Sequence, residues 1–162
     1  LWRRWRSGRR SSISSPLQRE EAEGRLRLKW PNDLLLDGEK VSGILLERSG
    51  DALVIGIGVN IVRAPMGISL TAAGLAIDRD ALFASLADRF AALRALWAAQ
   101  GFAPIRARWL AAASGLGIPI VARLGTEEIT GIFEGLEADG ALTLRLDDGS
   151  CRAIHAGEVF AI

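Results

Sequence analysis

From Arg25 onward the chain is cut into short apolar runs by turn-forming residues, and this spacing constrains its fold more than any other feature. Residues 25–30, RLRLKW, alternate polar and apolar, the pattern of a half-buried strand. Pro31-Asn32-Asp33 bends the chain, because proline sets its own φ while Asn and Asp bond neighbouring backbone. Leu34-Leu35-Leu36 is a short run closed by Asp37-Gly38, a hairpin signal. Val41 to Glu47 reads as the next strand, and Ser49-Gly50-Asp51 turns the chain again. Ala52 to Ile61, rich in β-branched residues, reads as a buried strand. Together these runs predict an antiparallel meander.

The period then changes. Asp78 is placed to cap a helix in which Leu82, Phe83, Leu86, Phe90, Leu93 and Trp97 recur at helical spacing, and Gly101 ends it. A shorter helix is predicted over Ala103 to Ala113, with Ile105, Trp109 and Leu110 on its apolar side. Ser114-Gly115-Leu116-Gly117 reads as a boundary. Beyond it lie five short strand candidates: Ile118 to Leu124, Glu128 to Glu137, Ala141 to Asp147, Ser150 to His155 and Glu158 to Ala161. Asp139-Gly140 and Asp148-Gly149 mark turns between them, and the pattern predicts a small SH3-like barrel.

Apolar residues make up 49% of the chain and charged residues 24%, the balance of a globular protein with a real core. The net charge of +1 conceals an asymmetry. Residues 1–29 hold nine basic and three acidic groups, residues 30–116 eight of each, and residues 117–162 three basic and eight acidic. The head, residues 1–24, is dominated by arginine, serine and tryptophan and shows no period. A phosphate-binding patch built on Arg3, Arg4, Arg6, Arg9 and Arg10 with Trp2 and Trp5 is one reading; a disordered or misplaced segment is the one favoured, because charges this dense repel. No apolar run is long enough to span a bilayer and no signal peptide opens the chain, so the expected address is cytoplasmic, with no membrane partner. Cys151 and His155 are the only residues of their types. They cannot make an internal disulfide or a zinc site, and both are read as structural.

Lys29-Trp30-Pro31-Asn32-Asp33, followed by LLLDGEKVSGILLE, resembles the biotin–protein ligase family. The family pattern is KWPND, a short hairpin, a G-I-L-x-E strand and a G-x-G-x-N strand. Gly43-Ile44-Leu45-Leu46-Glu47 and Gly56-Ile57-Gly58-Val59-Asn60 supply the last two, in order. The resemblance covers residues 25–162. It implies an α+β fold: a class II aminoacyl-tRNA synthetase-like mixed sheet with helices over 25–115, N-terminally incomplete, then the SH3-like domain over 116–162. It implies an ATP-dependent ligase that activates biotin as biotinyl-5'-AMP and passes it to a lysine of a biotin carboxyl carrier protein, that of acetyl-CoA carboxylase or a related carboxylase. Mg²⁺ is expected with the nucleotide, and a homodimer is possible.

The resemblance also assigns roles. A carboxylate and a phosphate must approach each other, so a fixed cation lowers the barrier by cancelling repulsion. That part falls to Lys29, which would contact the biotin carboxylate and the adenylate; without the surrounding motif it would read as a solvated side chain. Gly43 and Gly58 would let biotin approach the backbone, Gly56 likewise, though a bulge or packing explains Gly43 nearly as well. A dinucleotide fingerprint fits poorly, because its third glycine is missing. Asn60 would face the nucleotide, the alternative being a strand-end asparagine bonding its own backbone. Asn32 and Asp33 would orient the Lys29 strand or help hold the nucleotide with its metal, and a plain turn is the competing reading.

The family's arginine- and glycine-rich GRGRxGR loop and first pocket strand are not recognisable before KWPND, and residues 7–10, SGRR, match the loop only faintly. The chain as written is therefore expected to be a weak or inactive ligase. Two further readings stand beside it: a lipoate-ligase relative, and a non-catalytic carrier-docking module formed by residues 117–162. Nothing resembles a helix-turn-helix, so no nucleic-acid partner or repressor role is expected.

Overall fold

The computed structural model describes residues 24–162; the expectations for the basic head fall mostly on residues 1–23, outside them. Two antiparallel sheets are joined by two helices. The first sheet runs β1 (Leu26–Lys29), β2 (Asp33–Leu36), β3 (Glu39–Ser49) and β4 (Ala52–Val59), each strand paired with the next. This is the predicted meander. Helices α1 (Arg79–Gln100) and α2 (Ala103–Ala111) follow. The second sheet holds β5 (Pro119–Leu124), β6 (Glu127–Leu136), β7 (Leu142–Arg145), β8 (Cys151–Ile154) and β9 (Glu158–Ala161), in the spatial order β8-β7-β6-β5-β9.

The second sheet contains all five predicted strands, within a few residues of their expected ends. Its five strands form an open sheet, with β8 and β9 as the two edges. β7, β8 and β9 span four residues each, while β6 spans ten and bends at a register shift between Phe133 and Gly135.

Asp78 caps α1 as expected, its carboxylate accepting from Ala81 N at 2.8 Å, and Gly101 closes the helix with φ 73°. The apolar stripe of α1 is present but uncovered. No residue of α1 is buried, and Phe83 is 70% and Trp97 59% exposed. β4 corrects a second expectation. It was read as buried, yet it is exposed along nearly its whole length. An edge strand among the described residues, it presents bare glycines on one face, while Ile55 and Ile57 on the other meet Phe83, Leu86, Ala87 and Phe90 of α1 only in part.

The main core lies in the second sheet, and the first sheet feeds it. Ile120, Ala122, Phe133, Leu142, Leu144 and Ile154 are buried together with Trp30, which comes from the far end of β1. Trp30 is 5% exposed and its indole N–H donates to Gly140 O at 3.3 Å. From α2, Trp109 packs edge-on against Phe133, with ring centroids 6.3 Å apart, as its place on the apolar side predicted. Leu28 N donates to Ala112 O and Ser114 N donates to Leu28 O, both at 2.8 Å. The chain leaving α2 is thereby stitched to β1.

Candidate adenylate site

Register brings the candidate residues into one line. Lys29 pairs with Asp33, Asp33 with Gly43 and Gly43 with Gly58, across all four strands of the first sheet. Residues directly opposite in antiparallel strands share a face. Lys29, Asp33, Gly43 and Gly58 therefore form a row, with a cation at one end and bare backbone at the other. Side chains alternate along β4, so Gly56 lies on this face while Ile55 and Ile57 point to α1.

The glycines of the row differ in what they permit. A Cβ on Gly58 would meet nothing nearer than Gly43 O at 3.9 Å, and one on Gly56 nothing nearer than 3.8 Å. Neither has a positive φ, so neither conformation nor packing within the chain demands glycine there. Gly43 is different. A Cβ there would lie 3.1 Å from Lys40 Cε and Nζ and 3.3 Å from Asp33 Oδ1. Its bareness lets the Lys40 side chain cross the sheet to Asp33, with Nζ 2.6 Å from Oδ1. That buried oxygen takes no aligned hydrogen bond, so the ammonium charge is what compensates it.

Lys29 points towards the second sheet. Its ammonium lies 5.0 Å from the centroid of the Phe160 ring on β9, and the Arg123 guanidinium carbon lies 4.9 Å from the same centroid. An aromatic face attracts cations at this range. A cleft of about 830 Å³ opens here, lined by Lys29, Asp33, Lys40 and Met66 on one side and by Gly157 and Phe160 on the other. The volume suits a ligand larger than a drug fragment.

Asn32 and Asn60 hold backbone. Asn32 Nδ2 donates to Ile44 O at 2.6 Å while Ile44 N donates to Asn32 O at 2.9 Å, a reciprocal clasp that sets the bend against β3. Asn60 Nδ2 lies 3.1 Å from Met66 O, 3.3 Å from Ile68 O and 3.4 Å from Lys40 O. Its two hydrogens serve the 66–68 loop and the start of β3. Ile68 N also donates to Lys40 O, and Gly67 sits hard against that residue with φ 75°, where a Cβ would lie 2.1 Å from Lys40 O.

The sequence reading missed Lys40 and Phe160. A β-bulge hides Lys40: Leu35 pairs with Lys40 and Leu34 with Ser42, leaving Val41 as the extra residue. Simple alternation would set Lys40 and Gly43, three apart, on opposite faces; the bulge returns them to the same one. One signal was available, since Lys29 and Lys40 are the only lysines among 20 basic residues and both line the cleft. Cys151 and His155 lie at the exposed surface of the second sheet and do not line it. Desolvation, with help from the Glu134 carboxylate 3.6 Å away, raises the Cys151 thiol above its ordinary pKa, the opposite of an activated nucleophile. Among the described residues no group of His, Cys, Asp and Glu is arranged to hold a metal, and no helix is long and apolar enough to cross a membrane.

Comparison with known proteins places this arrangement. Residues 6–60 match the Biotin/lipoate A/B protein ligase family, a match that begins inside the basic head, and residues 115–161 match the Biotin protein ligase C terminal domain. The chain is 46% identical to the biotin–[acetyl-CoA-carboxylase] ligase of Paracoccus denitrificans, over 84% of this chain and 63% of that protein. It is 33% identical to the bifunctional ligase/repressor BirA of Escherichia coli K12, over 91% of this chain and 50% of that protein. It therefore spans between half and two thirds of these relatives. Among solved structures, the Aquifex aeolicus biotin protein ligase in complex with biotin and ATP superposes with a TM-score of 0.76 at 27% identity, covering 88% of this chain and 65% of that one. With KWPND, the glycine strands and the terminal sheet all matched in order, the chain belongs to the biotin protein ligase family.

Proposed function

We propose that this chain carries the adenylate-forming face of a biotin protein ligase, joining biotin to AMP and passing it to a lysine of a biotin carboxyl carrier protein such as that of acetyl-CoA carboxylase. The observation that carries this reading is the row Lys29–Asp33–Gly43–Gly58, a cation beside a strip of sheet where, among the described residues, a Cβ on Gly58 would meet nothing nearer than 3.9 Å. A flat bicyclic acid can lie on such a floor with its carboxylate at the ammonium. A carboxylate oxygen attacks the α-phosphorus of ATP and pyrophosphate leaves. Lys29 offsets the negative charge that the two anions bring together. In the second step the carrier amine bonds to the acyl carbon, the acyl–oxygen bond breaks, AMP departs with the electron pair, and the amine's proton passes to solvent.

Mg²⁺ would arrive as part of the nucleotide, since it prefers phosphate and water oxygens and needs few protein ligands. Asp33 is engaged by Lys40, so a metal-holding role would require that pair to part. Asn60 and Asn32 serve the site by fixing the 66–68 loop and the bend. A homodimer through the open edge of β4 is compatible with the same reading. The uncovered faces of β4 and α1 also fit weak turnover by the 162-residue chain by itself.

Calorimetric titration with a non-hydrolysable biotinyl-adenylate analogue tests the proposal without needing turnover. Binding that Lys29→Gln weakens at least tenfold is expected; no binding by the wild-type chain would refute it. The lipoyl analogue tests the second reading. The match of residues 115–161 to a biotin ligase domain favours biotin.

A further inference from the structure

We infer that Arg123, on β5 of the second sheet, is a positioning residue for the reaction: it clamps the Phe160 ring that carries the Lys29 ammonium, so that Lys29 is held without a carboxylate partner and keeps its full charge for the anionic ligand. This rests on the adenylate reading above. In the register of the second sheet, Arg123 stands opposite Glu128 on β6 and Glu158 on β9, and Phe160 stands opposite Val121, two residues before Arg123. Side chains alternate along a strand, so these residues share the face turned away from the core that Ile120, Ala122 and Val159 help to build. Long and aromatic side chains reach each other across such a diagonal. The guanidinium carbon of Arg123 lies 4.9 Å from the Phe160 centroid, and its Nε donates to Glu128 Oε1 at 2.8 Å. The chain entering β9 presses on the same residue: a Cβ on Gly157, at φ 140°, would lie 2.6 Å from Arg123 O.

An ammonium can be held by a carboxylate or by an aromatic face. A carboxylate would offset its charge and compete with an incoming anion, whereas a ring attracts it through its quadrupole and leaves the net charge in place. Lys29 makes no salt bridge among the described residues, although residues 117–162 hold eight acidic groups against three basic. On β9, an edge strand among the described residues, the half-buried Phe160 is a loose platform by itself. A guanidinium suits the clamp, because its plane stacks on a ring while its N–H groups bond a carboxylate; an ammonium has no plane. With Glu128 offsetting the charge of Arg123, two cations share one ring without meeting bare.

The chain holds two lysines, so isotope-labelled lysine gives one signal at the ring, from Lys29, and one away from it, from Lys40. In nuclear magnetic resonance spectra the ring current of Phe160 should displace the Lys29 ε-methylene signal of the wild-type chain. Arg123→Ala should move that signal towards its place in Phe160→Leu and leave Lys40 alone. The Arg123 side chain is 51% exposed, so the melting temperature should stay within a few degrees of wild type. A Lys29 signal that Arg123→Ala leaves in place overturns the assignment. Calorimetric titration with the non-hydrolysable biotinyl-adenylate analogue gives the second readout. Arg123→Ala should weaken binding about two- to threefold, and should have no effect in the Lys29→Gln background. Unchanged binding overturns the assignment, as does an equal loss in both backgrounds, which would mean that Arg123 attracts the ligand directly. A wild-type chain that binds no analogue refutes the adenylate reading, and the lysine signal then still decides whether Arg123 holds Lys29.

Discussion

Replacing Trp30 by alanine should separate the two halves of the molecule. Trp30 belongs by sequence to the first sheet, but its side chain lies among Ile120, Phe133 and Leu142 of the second. An indole buries about 200 Å², and at about 25 cal/mol per Å² this corresponds to about 5 kcal/mol. The denatured chain already hides part of that area, which lowers the figure. Truncations of buried aromatic residues cost about 3–5 kcal/mol, and removing the indole also leaves Gly140 O without its donor. Small domains hold about 5–15 kcal/mol in total. Urea unfolding followed by far-ultraviolet circular dichroism should show a loss of about 3–5 kcal/mol for Trp30→Ala and well under half of that for Trp30→Phe. A loss below about 1 kcal/mol would show that the indole does not couple the sheets, and the account of how Lys29 is positioned would fall with it.

Gly58→Val should leave the melting temperature within a few degrees of wild type, since among the described residues a Cβ there makes only an ordinary contact with Gly43 O, yet reduce biotinyl-adenylate binding more than tenfold; retained binding would mean that the floor is not used. Gly67→Ala should cost at least about 2 kcal/mol in urea unfolding, because a positive φ and a contact onto Lys40 O oppose any Cβ. Phe160→Leu should weaken adenylate binding two- to fivefold, matching about 0.5–1 kcal/mol of cation–π attraction, with Phe160→Tyr close to wild type. The Arg25 guanidinium, by hydrogen bond first and charge second, holds the Asp37 carboxyl below its ordinary 3.8. A depressed carboxyl stabilises the fold above its unfolded pKa and ceases to do so as pH falls through the folded one. Melting temperature measured from pH 5 down to pH 2 should therefore fall less steeply below pH 4 in Arg25→Ala than in wild type.

Local signals reported local structure well. Turn pairs such as Asp37-Gly38 and Asp148-Gly149, the Asp78 cap and the Gly101 stop all act over a few residues, and each stands where its chemistry required. The KWPND and glycine-strand motifs likewise led to the row on the first sheet. What stayed hidden depends on contacts between distant segments. The bulge at Val41 arises from how β2 and β3 pair, so no period along β3 reveals that Lys40 and Gly43 share a face. Phe160 lies 131 positions from Lys29 and meets it only because β9 joins the edge of β5. The exposure of β4 has the same origin: β-branched residues predict a strand, but whether it is covered depends on its neighbours.

These long-range contacts bear on what the second sheet does. If it only docked a carrier protein, its removal would leave adenylate chemistry intact. The structure argues otherwise, because Lys29 is placed by groups the second sheet owns. Its neighbour Trp30 is buried in that sheet's core, its ammonium lies over the Phe160 ring, and the strand that carries it is bonded through Leu28 to the segment leading into β5. One wall of the cleft is β9 itself. A deletion of residues 117–162 would expose Trp30 and free the ammonium together, so it would impair adenylate binding whatever its effect on docking. The two roles separate by substitutions on β8, where Cys151, Arg152 and Ala153 are exposed and carry none of these contacts. An effect there on carrier transfer, with adenylate binding intact, would mark docking as a second duty of a domain that already shapes the site.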